Sequence, residues 1–588
     1  MRAIYTYGRA ISGISQNNGF NAISPYFWMD RDPFSNYLGF IECKDGRRYM
    51  FFKRGKIYQQ LVGAIKNYLN GDFVDLSLLK LEWIIVLYSM PQKNDDPRLL
   101  IITSSSPGTP RIYYSCEGGY LIWSTYCADL LQLKRECGLR DTINVVGLNG
   151  YLQFLHQPTA STLSEGVLTL PPASVLDVSG KKLSISQHLL TSKSGNTSMN
   201  EKIYEIKSLI DTVITPQIAE SGKKTGLFLS GGLDSTLLAG ICKNKKIELT
   251  TFTAGFEGIK DERAEARAVA RHYKTKHKEI ILTPAEVPTL LWEVTRHLGF
   301  PAGNPSALAT YAIIKHARED KIERLLSGLG SDELFAGHKK HILARYWSFA
   351  SPFADMARGG SGNLKSLFSS NKDKSDDSLD GRPPKITRYM DFYTFFDDLQ
   401  LKRLLLPGYR QKGLSFYSKL QRGNFEEEHF MIDIYLWLVD GLIPIITTLA
   451  GKYGFELDLP FCRLEFLECA GSIPLKMKVK GMSGKWVLKK AAAGIVPDWV
   501  LQRKSQGFTA PIRKWLQGPL AYLLDTYLGN EVIVKRRIFN PDEIRRMIQS
   551  HKLGQKDLSL PLWGLISFEV WQRIFIDHEQ QVPYSRTY

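Results

Sequence analysis

Residues 227–240 read LFLSGGLDSTLLAG, and a second segment, SGLGSDELFAG, follows at 327–337. The first is an apolar run, a Ser-Gly-Gly turn and a helix-forming stretch opened by Asp234 and Ser235. Strand, tight loop and helix in that order point backbone N–H groups at a bound phosphate. Glycine lets the main chain approach the anion because no Cβ intervenes. The second segment repeats the idea, with LLSG as a strand end and Gly330 ahead of Asp332 and Glu333. Carboxylates from Asp234 and Asp332 suit a magnesium ion bridging a triphosphate, since hard cations take oxygen ligands. Each half alone has a plainer reading, as an ordinary turn or as an Asp N-cap. Together, in this order and with matching flanks, they favour nucleotide chemistry.

The surrounding chain agrees. Helix and strand patterns alternate after residue 200: a helix near 201–218, a strand at 226–229, a helix at 235–243, a strand at 248–254, a charged helix at 261–273 and a strand at 277–281. Such alternation predicts an α/β domain with a parallel sheet, whose ligands sit beyond the carboxyl ends of the strands. Residues 1–190 read instead as short strands broken by turns, with Gly118–Gly119 suiting a hairpin. TSKSGNTSMN at 191–200 has the composition of a linker, leaving 201–588 as the second domain. The Ser-, Gly- and Asp-rich stretch 357–384 reads as a mobile loop or lid, or equally as a disordered insertion. The remainder, 390–588, is rich in helical patterns.

Composition narrows the function classes. The chain has 588 residues, 44% hydrophobic and 23% charged, as expected of an ordinary globular protein with two or more domains. Seven cysteines form no CxxC pair and no metal-ligand spacing, so buried thiols in a reducing compartment are expected. MRAIYTYGRAISGI lacks the apolar core of a signal peptide, and the run near LEWIIVLYSM is too short to span a bilayer as a helix. A cytoplasmic protein without a membrane partner is the expectation. The net charge of +17 is dispersed and not interleaved with aromatic residues, so a solvated basic surface is favoured over a nucleic-acid platform.

Further motifs follow in a fixed order: TFTAGFEGIKDERAEARAVARHYKTKH (251–277), GNPSALATYAIIKHA, GFELDLPFCRLEFLECAGSIPLKMK and KWVLKKAAAGIVPDWVLQRKSQGFTAPIRKWLQGPL (485–520). With the two glycine loops, these resemble the asparagine synthetase superfamily over nearly the whole chain. The resemblance implies an Ntn-hydrolase-like (glutaminase-type) β-sandwich domain, then an adenine nucleotide α-hydrolase-like domain with a pyrophosphate loop and a helical C-terminal part. It implies ATP and Mg2+, and attack of a substrate carboxylate on the α-phosphate to give an acyl-adenylate that an amine converts to an amide. It implies that Ser230, Gly231, Gly232, Asp234 and Ser235 hold pyrophosphate, that Leu229, Ala254, Ser327 and Gly328 contact adenosine, and that Asp234 and Asp332 bind magnesium.

Departures from the family pattern matter as much. Glutamine-using members carry a cysteine after the initiator methionine; here that residue is Arg2, and the first cysteine is Cys43. A side chain without a thiol cannot serve as that nucleophile, so a retained domain without glutaminase activity is expected. Ser104–Ser105 stand where the family has an Arg-Asp pair. Leu329 replaces the Glu of asparagine synthetases and the Tyr of β-lactam-forming relatives. In the late basic motif the lysine sits one place early, as Lys504, with Arg503 and Lys485 as alternative cations for the phosphates.

Relatives without the cysteine, the β-lactam and carbapenam synthetases and the lasso-peptide macrolactam cyclases, take the amine from the substrate itself. Chain length and a lid favour a larger carboxylate-bearing substrate, and hence a lasso-type cyclase acting on a precursor peptide beside a leader protease. The alternatives are an ammonia-dependent asparagine synthetase, a β-lactam synthetase-like enzyme, a tRNA-modifying pyrophosphate-loop enzyme and a non-catalytic scaffold.

Overall fold

LTTFTAGF carries β-branched and aromatic residues and no charge, the composition of a strand covered on both faces. It forms Leu249–Phe256, buried along its whole length. This strand lies in a five-stranded sheet ordered Lys276–Leu282, Leu249–Phe256, Thr225–Phe228, Arg324–Leu326 and Glu456–Asp458. Every neighbouring pair is parallel. The sheet grows outward in one direction from Thr225–Phe228 through the next two strands, then restarts on its other side with Arg324–Leu326. The crevice at such a reversal opens at the carboxyl ends of the two central strands. Both glycine loops leave the sheet at that point.

The computed structural model describes the strands at 2–6, 20–24, 27–30, 38–42, 48–53 and 85–89, and residues 98–103, 106–118, 120–158, 160–179, 182–187, 197–219, 222–258, 261–346, 389–411, 417, 425–503 and 510–582. These fall into two compact units, residues 1–147 with 159–191, and residues 148–158 with 192–588. The expected loop at 357–384, Cys43, Ser104, Ser105 and Lys504 lie outside the described residues.

The first unit contains two six-stranded sheets. One runs Val167–Leu170, Ile112–Glu117, Tyr120–Ser124, Arg2–Thr6, Phe27–Asp30 and Phe20–Ser24; the other runs Lys182–Gln187, Ser174–Ser179, Arg98–Ile102, Ile85–Ser89, Arg48–Lys53 and Leu38–Glu42. All their pairings are antiparallel. A hairpin forms at the expected place, with Glu117 facing Tyr120 and Gly118 at φ +59°; Gly119 lies outside the described residues. LEWIIVLYSM supplies the strand Ile85–Ser89.

In the second unit the expected elements appear within one or two residues at strand ends and helix starts. The first helix ends early, however: Met199–Leu209 passes into a π-helical turn, Ile210–Ile214. Among the described residues one helical run, Glu428–Lys452, is long and apolar enough to cross a membrane, yet 83% of its most apolar window is buried inside the protein. A helix apolar on all sides belongs in a core. Its centre, Asp433–Leu442, is π-helical. The last helix, Ser559–Phe575, buries Trp563 and Trp571.

Candidate active site

The first loop is shaped by what glycine alone permits. Gly231 has φ +71°, and a Cβ there would lie 2.7 Å from the backbone nitrogen of Ala266. Gly232 then caps the helix Leu233–Asn244. Ser230 closes the turn: its N–H donates to Ser235 Oγ at 3.2 Å, and its own Oγ accepts the Gly232 N–H at 3.2 Å. Asp234 and Ser235 thus stand in the first helical turn, where backbone amides lack intrahelical partners. Leu229 ends the strand with its N–H on the Phe252 carbonyl at 2.8 Å, and its carbonyl accepts the Thr253 hydroxyl. Ala254 is buried on that neighbouring strand.

The second loop meets the first edge to edge. A Cβ on Gly328 would stand 2.8 Å from Asp234 Cβ, so the two backbones approach as closely as glycine allows. The Ser327 N–H donates to the Asp458 carbonyl at 3.1 Å and its Oγ accepts the Leu329 N–H at 3.3 Å. Gly330, at φ +95°, packs where a side chain would strike Cys462 Sγ. Ser331 then donates its hydroxyl to Asp234 Oδ1 at 2.6 Å, which ties the loops together. Sequence reasoning missed Ser331, although it lies inside the quoted motif.

Lys485 completes the centre. Its Nζ lies 2.5 Å from Asp234 Oδ2 and 2.8 Å from Asp332 Oδ1. Its left-handed backbone (φ +54°) and the N–H bond to the Phe335 carbonyl at 3.1 Å aim the side chain inward. Burial works against the ammonium, but the two carboxylates outweigh it and hold its pKa well above the ordinary value. Burial likewise opposes the Asp332 carboxylate; Lys485 and then His338 outweigh it and bring the group down to about 2. Burial raises Asp234, with Lys485 opposing.

Arg503 reaches the glycine loop from outside. Its Nη1 donates to the Gly231 carbonyl at 3.1 Å, and its guanidinium lies 3.7 Å from Glu265 and 3.9 Å from Glu262. Glu262 is pushed up to about 7, chiefly by burial, which Arg503 opposes and Glu265 and Asp332 reinforce. The structure therefore gathers Leu229 to Ser235, Ala254, Ser327, Gly328, Asp332, Lys485 and Arg503 around one crevice.

A divalent cation suits the centre because Lys485 Nζ already occupies the position that two carboxylate oxygens share. Among the described residues no cluster of three metal-ligating side chains exists. Two carboxylates plus phosphate oxygens is the usual arrangement for magnesium bound with a nucleotide.

The asparagine synthase family matches residues 205–573. The chain belongs to the asparagine synthase family. Its members are ATP-dependent, AMP-forming carbon–nitrogen ligases. Asparagine synthetase [glutamine-hydrolyzing] 1 of Bacillus subtilis (strain 168) is 25% identical over 80% of this chain and 74% of its own length. A putative asparagine synthetase [glutamine-hydrolyzing] of Mycobacterium tuberculosis (H37Rv) is 25% identical over 76% of this chain and 70% of its own. Among solved structures, NMN synthetase from Francisella tularensis overlaps 37% of this chain and 99% of its own at 14% identity and a TM-score of 0.19, too small an overlap to bear on this fold.

Proposed function

We propose that this asparagine synthase family chain adenylates a substrate carboxylate with ATP and joins it to an amine that does not come from glutamine. The observation that carries the adenylation is the meeting of Asp234, Asp332 and Lys485 between two glycine loops at the reversal of a parallel sheet. ATP lies with its pyrophosphate along 230–235 and its adenosine against Leu229, Ala254, Ser327 and Gly328. Asp234 and Asp332 would hold Mg2+, which would neutralise charge on the phosphates. Lys485, whose ammonium stands between these carboxylates, would place its positive charge near the leaving pyrophosphate. Arg503, held on the Gly231 carbonyl, steadies the loop. The substrate carboxylate oxygen attacks the α-phosphorus, the bond to pyrophosphate breaks, and the amine then displaces AMP from the acyl carbon with loss of a proton.

The glutamine-independent part rests on the strand Arg2–Thr6, which carries no thiol. The N-terminal unit is read as an Ntn-hydrolase-like domain kept for its architecture, and the domain limits as 1–190 and 201–588. Within this reading the acyl acceptor is an amine of the same molecule, as in lasso-type macrolactam formation, and the substrate is a peptide. With glutamine as the only nitrogen source, neither glutamate nor amide is expected. Glutamate release from glutamine would overturn the glutamine-independent reading, and asparagine and AMP from aspartate, ammonia and ATP would assign the chain as an ammonia-dependent asparagine synthetase.

A further inference from the structure

The second unit contains a pocket apart from the two glycine loops. Phe154, Phe300, Phe395, Trp437, Ile445 and Leu560 supply most of its wall. Small-ligand pockets are likewise mostly apolar with a few placed polar groups. Among the described residues no lysine, arginine, aspartate or glutamate lines it. Two polar side chains do. His156 meets the Trp437 ring edge-on at 6.4 Å, and Asn304 holds its oxygen on the Ser306 N–H at 3.0 Å and the Ser306 hydroxyl at 2.8 Å. The NH2 group of Asn304 donates to no protein atom among the described residues, and so remains available to a carbonyl.

The cavity is held open by construction. The segment from Gly299 to Ala302 is pinned to the last helix, whose Trp571 and Trp563 indoles donate to the Gly299 and Ala302 carbonyls at 2.9 and 3.0 Å. The opposite wall is the π-helical segment Asp433–Leu442. Such segments are rare and are frequently found at functional sites. Glycine is a poor choice inside a helix, yet Gly441 faces His156 across space that a Cβ would fill at an ordinary 3.5 Å. Packing does not demand this glycine, and a side chain larger than alanine would extend into the pocket. The same segment touches the catalytic crevice, because Leu438 lies 3.5 Å from where a Cβ on Gly330 would stand. Trp437 and Gly441 therefore face the cavity on an element whose adjacent face supports the second glycine loop.

We infer that this cavity binds an aromatic side chain of a peptide substrate, with Asn304 donating to a backbone carbonyl of the same residue. This rests on the ligase reading above and names its substrate class. Free aspartate fits poorly, since its charges would meet no charged partner in the wall.

The test uses the full chain and two probes, N-acetyl-L-phenylalaninamide and N-acetyl-L-aspartate, observed by ligand-detected NMR, with MgATP affinity measured by calorimetry on the same samples. Saturable binding of the aromatic amide and none of the aspartate derivative is expected. Gly441→Leu is expected to weaken the aromatic amide at least tenfold with MgATP affinity unchanged. Gly441→Ala, for which van der Waals space exists, guards against a folding failure and is expected to weaken binding less. No saturable binding, equal binding of the two probes, or an affinity unmoved by both variants would overturn the inference. A wild-type chain that bound the aromatic amide but not MgATP would overturn the ligase reading and leave the aromatic site standing.

Discussion

Gly231 shows how much a single residue decides. Its φ is +71° and a Cβ would meet backbone atoms of Glu265 and Ala266 at 2.7 Å, so no side-chain rotation relieves the clash. Gly231→Ala is expected to cost about 3 kcal/mol or more, combining backbone strain with displacement of the neighbouring helix. A thermal or urea melt beside an ATP-binding measurement checks this. Lys485→Met removes the buried cation between two half-buried carboxylates and is expected to cost about 1–3 kcal/mol, less than the loss of a fully buried pair. The expected signature is a lowered Tm that Mg2+ with ATP raises more in the variant than in the wild type; an unchanged Tm would contradict the assignment.

Glu262 carries a pH dependence of definite sign. Its carboxyl is pushed up to about 7 by burial, with Glu265 and Asp332 reinforcing and Arg503 opposing. A carboxyl that holds its proton more tightly when folded contributes stability fully below its free value, and that contribution is lost as pH rises through about 7. Glu262→Gln mimics the protonated form. Its stability is expected to match the wild type near pH 4 and to exceed it by up to about 3 kcal/mol near pH 8. A gap that narrowed with rising pH would reverse the sign and refute the cause.

Among the elements, the π-helical centre of the run Glu428–Lys452 carries an unusual load. Asp433, fully buried on it, accepts from His341, Tyr389 and Tyr393 and lies 3.1 Å from Lys340. Asp433→Leu leaves Lys340 without its carboxylate and is expected to cost about 3–5 kcal/mol, with Lys340→Met in the same chain recovering part of it. Chemical denaturation of the two single variants and the double variant measures the coupling.

This element was not legible in the sequence, and the physical reason is plain. Its partners come from 338–341 and 389–393, far along the chain, and neither apolar periodicity nor propensity encodes a buried Lys–Asp–Tyr cluster or a change of helical pitch. SGGLDS and SGLGSDELFAG were legible because close approach of backbone to backbone admits few residues besides glycine. Lys485 was named as a cation for phosphate, but its place between Asp234 and Asp332 depends on the left-handed backbone at 485, which local sequence does not announce. The strands at Thr225–Phe228 and Leu249–Phe256 were legible from their apolar runs, whereas the three-residue edge strand Glu456–Asp458, ELD, offers no such run.

At the scale of the whole molecule, the strand order places the chemistry. Because the sheet restarts beside Thr225–Phe228, the loops after its two central strands face one crevice, and carboxylates a hundred positions apart share the Lys485 ammonium. The helical C-terminal part supplies Lys485 and Arg503 to that crevice and pins the turn beside the aromatic cavity. The first unit contains strand Arg2–Thr6, which carries no thiol, and the proposed glutamine-independent reading rests on it.

The most direct measurement of the central claim is ATP–pyrophosphate exchange by the full chain with peptides that carry an Asp or Glu side chain and a free amine. Exchange is expected that requires Mg2+ and falls at least a hundredfold in Asp332→Asn, with MgATP binding weakened and the fold intact. Undiminished exchange in Asp332→Asn, or cleavage of ATP to ADP and phosphate in place of AMP and pyrophosphate, would contradict it.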